Sequence, residues 1–352
     1  MIQHIEIENY KAFKKLNMDD LRRITLISGK NNIGKSTLLE AIFLHIDHNA
    51  ADSFIKVNGF RGANATGALS VWTPLFYRMD TSKTIKIAVQ DEEGTAVLAY
   101  SRDDHYRPEK AEGVSEDIVR EFHNASMGSY SIKYSFEKGD FVEDGHFLLN
   151  GNDFWRQFKS NRKDNGTMAA WPTKYFNAAF ARMDDSLMNG IGKLELEGKK
   201  NEIIDILKIM DPDVKDIVTI SVEGATYLYL RYDNRMVPLR QSGDGMIKLL
   251  NICLSMLENA NGLILVDEIE TGLHYSMYGE FWRIISQISK KVNCQVIATT
   301  HSYEMISAIR GSNELQDDFA YYRLGKKNED TIAYRYDYAM LDSALDAEME
   351  VR

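Results

Sequence analysis

Nine consecutive residues, Gly29-Lys30-Asn31-Asn32-Ile33-Gly34-Lys35-Ser36-Thr37, follow the spacing G-x-x-x-x-G-K-[ST]. The two glycines let the backbone wrap closely around an anion with successive N–H groups turned inward. A helix starting at the end of such a loop adds its positive dipole end to the cradle. In this pattern Lys35 reaches the β- and γ-phosphates, the Ser36 hydroxyl binds Mg²⁺, and Thr37 reaches the α-phosphate. The expected ligand is ATP with Mg²⁺.

Two further clusters complete that chemistry. Gly262-Leu263-Ile264-Leu265-Val266-Asp267-Glu268 is an apolar run ending in an acidic pair. Asp267 is suited to hold Mg²⁺ through water, and Glu268 to polarise the attacking water as general base. An acidic pair of this kind also serves as an ordinary helix start, so its weight comes from the phosphate loop. In Gln295-Val296-Ile297-Ala298-Thr299-Thr300-His301-Ser302 another apolar run ends in a histidine able to hydrogen-bond a γ-phosphate. A structural cap is the alternative for His301, and its place one α/β unit after the acidic pair favours the catalytic role.

Such residues need strands and helices to aim them. The chain begins with alternating Ile2, Ile5 and Ile7, a strand pattern, and Ile24 to Ser28 forms a strand running into Gly29. Leu38, Leu39, Ile42 and Phe43 recur at helical spacing over Lys35 to His45. Thr84 to Ala99 reads as a hairpin around Glu92-Glu93-Gly94, and Tyr130 to Leu149 as further strands. Lys159 to Gly166 reads as a mobile loop, Ile203 to Met210 as a helix, and Asp216 to Leu230 with Asp233-Asn234-Arg235 as a second hairpin. After Leu239 come long α/β units: helix Gly245 to Leu257, strand Leu263 to Val266, helix Ser276 to Ile288 and strand Gln295 to Thr299. A helix near Tyr303, a last hairpin and an acidic helix over Asp337 to Glu350 close the chain.

The chain has 352 residues, a net charge of −10 and 44% hydrophobic residues, which suits a globular core and argues against a surface that is basic overall. Cys253 and Cys294 sit in apolar stretches and read as buried thiols rather than a disulfide or redox pair. No His/Cys spacing suggests zinc. The start lacks a signal-peptide pattern and no apolar run is long enough to span a bilayer, so the expectation is a cytoplasmic protein without membrane contact.

Together these residues resemble the ABC-type ATPase head of the SMC and OLD (overcoming lysogenisation defect) families. Asn9-Tyr10-Lys11-Ala12-Phe13 is similar to their N-[FY]-[KR]-x-F element, which the resemblance places with Lys11 beside the nucleotide. Gln241-Ser242-Gly243-Asp244-Gly245-Met246 resembles the signature loop in an S-x-G-D-G style. Asp267 to His274 resembles Walker B continuing into the D-loop, and Thr300-His301-Ser302 the H-loop. The likeness is close over residues 1–45 and 236–310. It is loose between them, through Val71 to Tyr77 and Leu207 to Pro212. No switch-loop glutamine stands out, with Gln90 as a candidate.

The resemblance implies an α/β fold, a P-loop NTPase of ABC-ATPase type with a mixed central sheet, flanking helices and an inserted β/helical arm or lid. It implies a first half over 1–95, an insertion over 96–235 and a second half over 236–352. Ser242, Gly243, Asp244 and Gly245, at a helix N-terminus, would cap the γ-phosphate held by a second copy, so that two ATP molecules are sandwiched in a homodimer or a higher oligomer. An ordinary N-cap is the alternative for this loop. Residues 46–235 lack sustained heptads, unlike SMC arms, and the segment after the Tyr303 helix is shorter than the Toprim domain of OLD nucleases. The expectation is a Mg²⁺-dependent ATPase acting as sensor or switch for a separately encoded nuclease or toxin in bacterial antiphage defence. The alternative is an SMC-like clamp for DNA repair or maintenance, with Lys159, Arg162, Lys163, Lys199 and Lys200 as candidate nucleic-acid contacts. A transporter subunit fits the signature style poorly. Trp72, Trp155, Trp171 and Trp282 read as core or partner contacts, and His274 as a residue facing the opposite subunit.

Overall fold

The structure is a computed structural model and describes residues 1–50, 52–62, 68–106, 131–150, 153–162, 168, 170–178, 185–311, 315–347, 349 and 351. The chain opens with β1 (His4–Tyr10), β2 (Phe13–Asp19) and β3 (Ile24–Gly29), then helices α1 (Lys35–Ile46), α2 (Ser53–Gly59) and α3 (Ala68–Trp72). Strands β4 (Ile85–Asp91), β5 (Gly94–Asp103), β6 (Ser131–Lys138), β7 (Phe141–Asn150), β8 (Asp153–Ser160) and β9 (Thr173–Phe176) follow. Next come α4 (Asp185–Leu196), α5 (Lys200–Met210), β10 (Asp216–Val222), β11 (Ala225–Arg231), β12 (Met236–Pro238), α6 (Asp244–Glu258) and β13 (Leu263–Val266). The chain closes with α7 (Tyr278–Val292), β14 (Gln295–Thr299), α8 (Tyr303–Ser307), β15 (Phe319–Lys327), β16 (Asp330–Tyr336) and α9 (Tyr338–Asp346).

These elements form two compact units. The first comprises Met1–Leu21, Gly29–Trp171 and Arg323–Arg335. Its sheet has the order β2-β1-β4-β5-β6-β7-β8, antiparallel throughout. Alternation along β1 and β5 sends one face of the sheet inward, where Ile5, Ile7 and Leu98 are buried together with Ile85 and Ile87 of β4. Phe54 anchors an aromatic cluster with edge contacts to Trp72, Tyr100 and Phe147 at centroid distances of 4.5, 5.0 and 5.1 Å.

The second unit comprises Arg22–Ser28, Pro172–Tyr322 and Tyr336–Arg352. Its main strands lie in the order β15-β3-β14-β13-β9, with β3, β14, β13 and β9 parallel. Every residue of β3, β13 and β14 is buried, as parallel strands covered on both faces require. Helices α4 to α7 pack over one apolar core with Leu249, Leu250, Trp282, Ile285 and Met305. A separate three-stranded sheet, β10-β11-β12, stands beside them. Cys253 and Cys294 are both buried here, and burial raises both thiols, Cys294 to about 12.

The fold class expected from the sequence is observed, and the differences are local. Lys159 and Ser160 end β8, while residues 163–166 of the expected loop lie outside the described residues. Asp233-Asn234-Arg235 leads into a third strand, β12. The helix expected from Ser276 begins with a tight 3₁₀ turn at Tyr275–Met277 before α7, and the final helix is shorter than its acidic pattern. Trp72 and Trp282 are core residues, Trp171 is half-buried, and the side chain of Trp155 lies outside the described residues. Among the described residues no helix is long and apolar enough to cross a membrane.

Candidate nucleotide site

In the first unit the glycine loop leaves β3 and enters α1 with the geometry that its residue types suggest. Gly29 has φ 141°, and a Cβ there would stand 2.7 Å from the Leu324 carbonyl oxygen. Gly34 has φ 113°, is the N-cap of α1, and a Cβ on it would stand 2.6 Å from the Phe13 ring. No side chain caps α1 and its first turn carries no acidic residue, so the N–H groups of that turn remain suited to an anion. Lys35 is buried, its Nζ donating to the carbonyls of Gly29 (2.7 Å) and Lys30 (3.2 Å). A Gly34→Ala substitution combines a left-handed backbone with the Phe13 clash. It is expected to cost roughly 1–3 kcal/mol and to weaken ATP binding; thermal unfolding and nucleotide titration measure the two effects.

Behind the loop lies a cluster that sequence reasoning missed. Glu40 of α1 is fully buried and accepts from Lys11 Nζ (2.8 Å) and from Arg61 Nε (2.6 Å) and Nη2 (3.0 Å). The same Arg61 nitrogen donates to Thr37 Oγ1 at 3.0 Å. Burial pushes the Lys11 ammonium down from its ordinary value, and the Glu40 carboxylate pulls it back up. Lys11, placed beside the nucleotide by the resemblance, is thus held by Glu40 and by the Leu75 carbonyl, which accepts from its backbone N–H. Gln90 lies on β4, its carbonyl paired with Gln3 N–H, rather than on a loop.

In the second unit the ends of β13 and β14 hold the acidic pair. Asp267 is 8% exposed. Thr299 Oγ1 donates to Asp267 Oδ1 (2.5 Å) and accepts from Glu268 N–H (2.8 Å), which fixes both residues to the end of β14. Glu268 takes a left-handed backbone, φ 49°, and its carboxylate reaches Thr271 Oγ1 at 3.3 Å and stands 3.9 Å from His301 Nε2. His301 N–H donates to Glu270 Oε1 at 2.6 Å. The expected base and the expected histidine are therefore neighbours, joined through one acidic turn. Strand β3, which leads covalently into Gly29, pairs with β14 in parallel, so three adjacent strands end together, the usual ligand edge of an α/β sheet.

The loop Ser242 to Gly245 opens α6 with Gly243 as N-cap and no side-chain cap bond. The helix start is therefore capped by glycine backbone rather than by a side chain, and Ser242 Oγ is a buried hydroxyl without a hydrogen-bond partner among the described residues. His274 is exposed and its Nδ1 lies 2.8 Å from Ser276 Oγ of its own loop. Among the candidate nucleic-acid contacts, Lys199 is paired with Glu197, Lys200 with Glu195 and Asp216, and Arg162 lies over the Phe141 ring; Lys163 is outside the described residues.

On α6, Lys248 is 1% exposed, a buried ammonium that the sequence reading did not single out. Burial pushes it down to about 8 against the upward pull of Glu270, Glu268 and Asp267.

A sequence family described as "AAA domain, putative AbiEii toxin, Type IV TA system" matches residues 24–307. An "ATP/GTP phosphatase" of Helicobacter pylori is 25% identical over 336 residues, covering 88% of this chain and 87% of the relative. The "Septu protein PtuA" of Bacillus thuringiensis is 24% identical over 322 residues, covering 88% of this chain and 73% of the relative. Among solved structures, an SmcHead bound to the C-winged helix domain of ScpA aligns with TM-score 0.52 and 14% identity over 96% of this chain and 98% of that one. An Smc head domain with an extended coiled coil, bound to the C-terminal domain of ScpA derived from Pyrococcus furiosus, aligns with TM-score 0.51 and 12% identity over 99% of both. At these identities the solved structures speak to the fold alone.

Proposed function

Because this chain belongs to the family described as "AAA domain, putative AbiEii toxin, Type IV TA system", and is an ATPase, we propose that ATP binding joins two copies of it into a switch. In this reading the switch controls a separately encoded nuclease or toxin, and the setting is antiphage defence. The observation that carries the dimer is the opening of α6, a helix N-terminus with no side-chain cap beside a Ser242 hydroxyl that has no partner among the described residues. A buried unsatisfied hydroxyl costs about 1–3 kcal/mol, so a phosphate brought by a second copy would repay it. The defence setting is supported by the family description and by the likeness to the Septu protein.

The residues present also suit the ligands. Backbone N–H groups from Gly29 to Thr37 and the Lys35 ammonium fit a triphosphate. Ser36 in the first unit offers a hydroxyl and the nearly buried Asp267 in the second a carboxylate, each a hard oxygen donor of the kind that Mg²⁺ takes. The ion would offset charge on the phosphates. Glu268 would accept the proton of the attacking water, and His301, held through Glu270, would donate to the γ-phosphate.

Solution mass tests the switch. With ATP and Mg²⁺ the wild-type chain is expected to double in mass by light scattering. Ser242→Arg, which places bulk and charge at the opening of α6, is expected to stay at the nucleotide-free mass while still binding ATP. A wild-type mass that ignores ATP would sink the dimer reading.

A further inference from the structure

Within α6 the run Met246-Ile247-Lys248-Leu249-Leu250 places one charged residue in an apolar helix, and burying an unpaired ammonium costs several kcal/mol. The structure shows where that charge goes. Lys248 Nζ donates to the Glu268 carbonyl at 2.7 Å and to the Thr271 carbonyl at 3.1 Å. These carbonyls are the two ends of a tight turn closed by Thr271 N–H to the Glu268 oxygen at 3.0 Å. Glu268 and Glu270 both stand on that turn. It sets the left-handed backbone of Glu268 and carries the carboxylate that accepts from His301 N–H.

The opening of α6 meets the continuation of the same turn. A Cβ on Gly245 would stand 2.8 Å from the Gly272 carbonyl oxygen, and one on Gly272, φ 81°, would stand 3.3 Å from Asp244 Cβ. Helix and turn therefore touch backbone to backbone at one end and are pinned by Lys248 one helical turn further on. An apolar side chain at this position would satisfy the packing of α6 equally well. The ammonium adds a hold on the backbone of Glu268.

We propose that Lys248 is a positioning residue for Glu268: it clamps the Glu268–Thr271 turn to the helix that Ser242 opens. Displacement of that helix, such as a nucleotide bound by a second copy would cause, is thereby passed to the general base of this copy. The inference rests on the assignment of Glu268 as base in the proposed ATPase site.

Steady-state kinetics on the full chain separate the two. Lys248→Met removes the donor and keeps the apolar stem. It is expected to lower kcat by about ten- to a hundredfold, the cost of a base displaced by a fraction of an ångström, and to leave KM within about threefold of wild type. A thermal melt and ATP-analogue titration establish that the variant is folded and loaded. The decisive readout is the double variant. If Lys248 acts through Glu268, Lys248→Met added to Glu268→Gln lowers kcat no further, whereas an independent structural defect multiplies the two losses. A Lys248→Met enzyme at wild-type kcat beside an inactive Glu268→Gln overturns the inference alone, as do losses that multiply. A Glu268→Gln enzyme that keeps wild-type kcat overturns the base assignment, and the inference falls with it.

Discussion

Glu268→Gln is expected to lower ATP turnover by about 10²- to 10⁴-fold, the usual contribution of a positioned general base, while ATP affinity stays near wild type. The glutamine amide keeps the shape of the side chain but cannot take the proton of an attacking water. Little else changes, because the carboxylate is 41% exposed and its close contacts are Thr271 Oγ1 and, at 3.9 Å, His301 Nε2. An exchange at so exposed a position is worth within about 0.5 kcal/mol of stability, so a large kinetic loss cannot be ascribed to unfolding. The ATP-bound pair should then persist rather than cycle, and light scattering should find the doubled mass lasting for hours after ATP addition. Phosphate release within tenfold of wild type would remove Glu268 from the role of base.

Lys35→Ala is expected to act at the preceding step. The Lys35 ammonium rests on the Gly29 and Lys30 carbonyls, where it neutralises their inward-facing oxygens. With nucleotide bound it would turn to the phosphates. Charge-assisted hydrogen bonds contribute about 1.5–3 kcal/mol each, and two of them correspond to at least about a hundredfold in Kd. Isothermal titration with a non-hydrolysable ATP analogue measures the loss, and the ATP-dependent mass increase should vanish with it. A Kd within threefold of wild type would contradict the phosphate-loop assignment. Because Glu268→Gln loses turnover and Lys35→Ala loses binding, the pair also separates the two halves of the proposed cycle.

The part of the site that could be read from sequence is the part carried by local spacing. Gly29 to Thr37, Asp267-Glu268 and His301 stand at the ends of short apolar strands, and the structure puts them where strand–loop–helix order requires. The missed residues are those whose meaning depends on contact between distant segments. Glu40 receives Lys11 from 29 positions before it and Arg61 from 21 after it. Lys248 reaches a carbonyl 20 positions away. A charged residue among Met246, Ile247, Leu249 and Leu250 was the visible trace of that last contact.

The fold shows the same division. Hydrophobic alternation marked the hairpin of β4 and β5, but Phe13-Lys14-Lys15-Leu16-Asn17-Met18-Asp19 has two adjacent lysines that break the pattern, and β2 went unnoticed. Pairing partners leave no local mark. The reading placed an insertion over 96–235, and the membership of β5 to β8 in one sheet with β1 and β4 was not visible in it. Register and sheet membership follow from side chains meeting across strands, which one sequence does not spell out.

The deeply set pair of cysteines offers an experimental opening. Burial keeps Cys253 and Cys294 in the thiol form, and a thiol without its thiolate reacts slowly with maleimides. The natural chain thus provides a quiet background for site-directed labelling. One cysteine introduced at Tyr275, which is 67% exposed in the loop after the acidic turn, would carry a dye without replacing native thiols. Energy transfer between two such dyes, one on each copy, would follow assembly and release in real time.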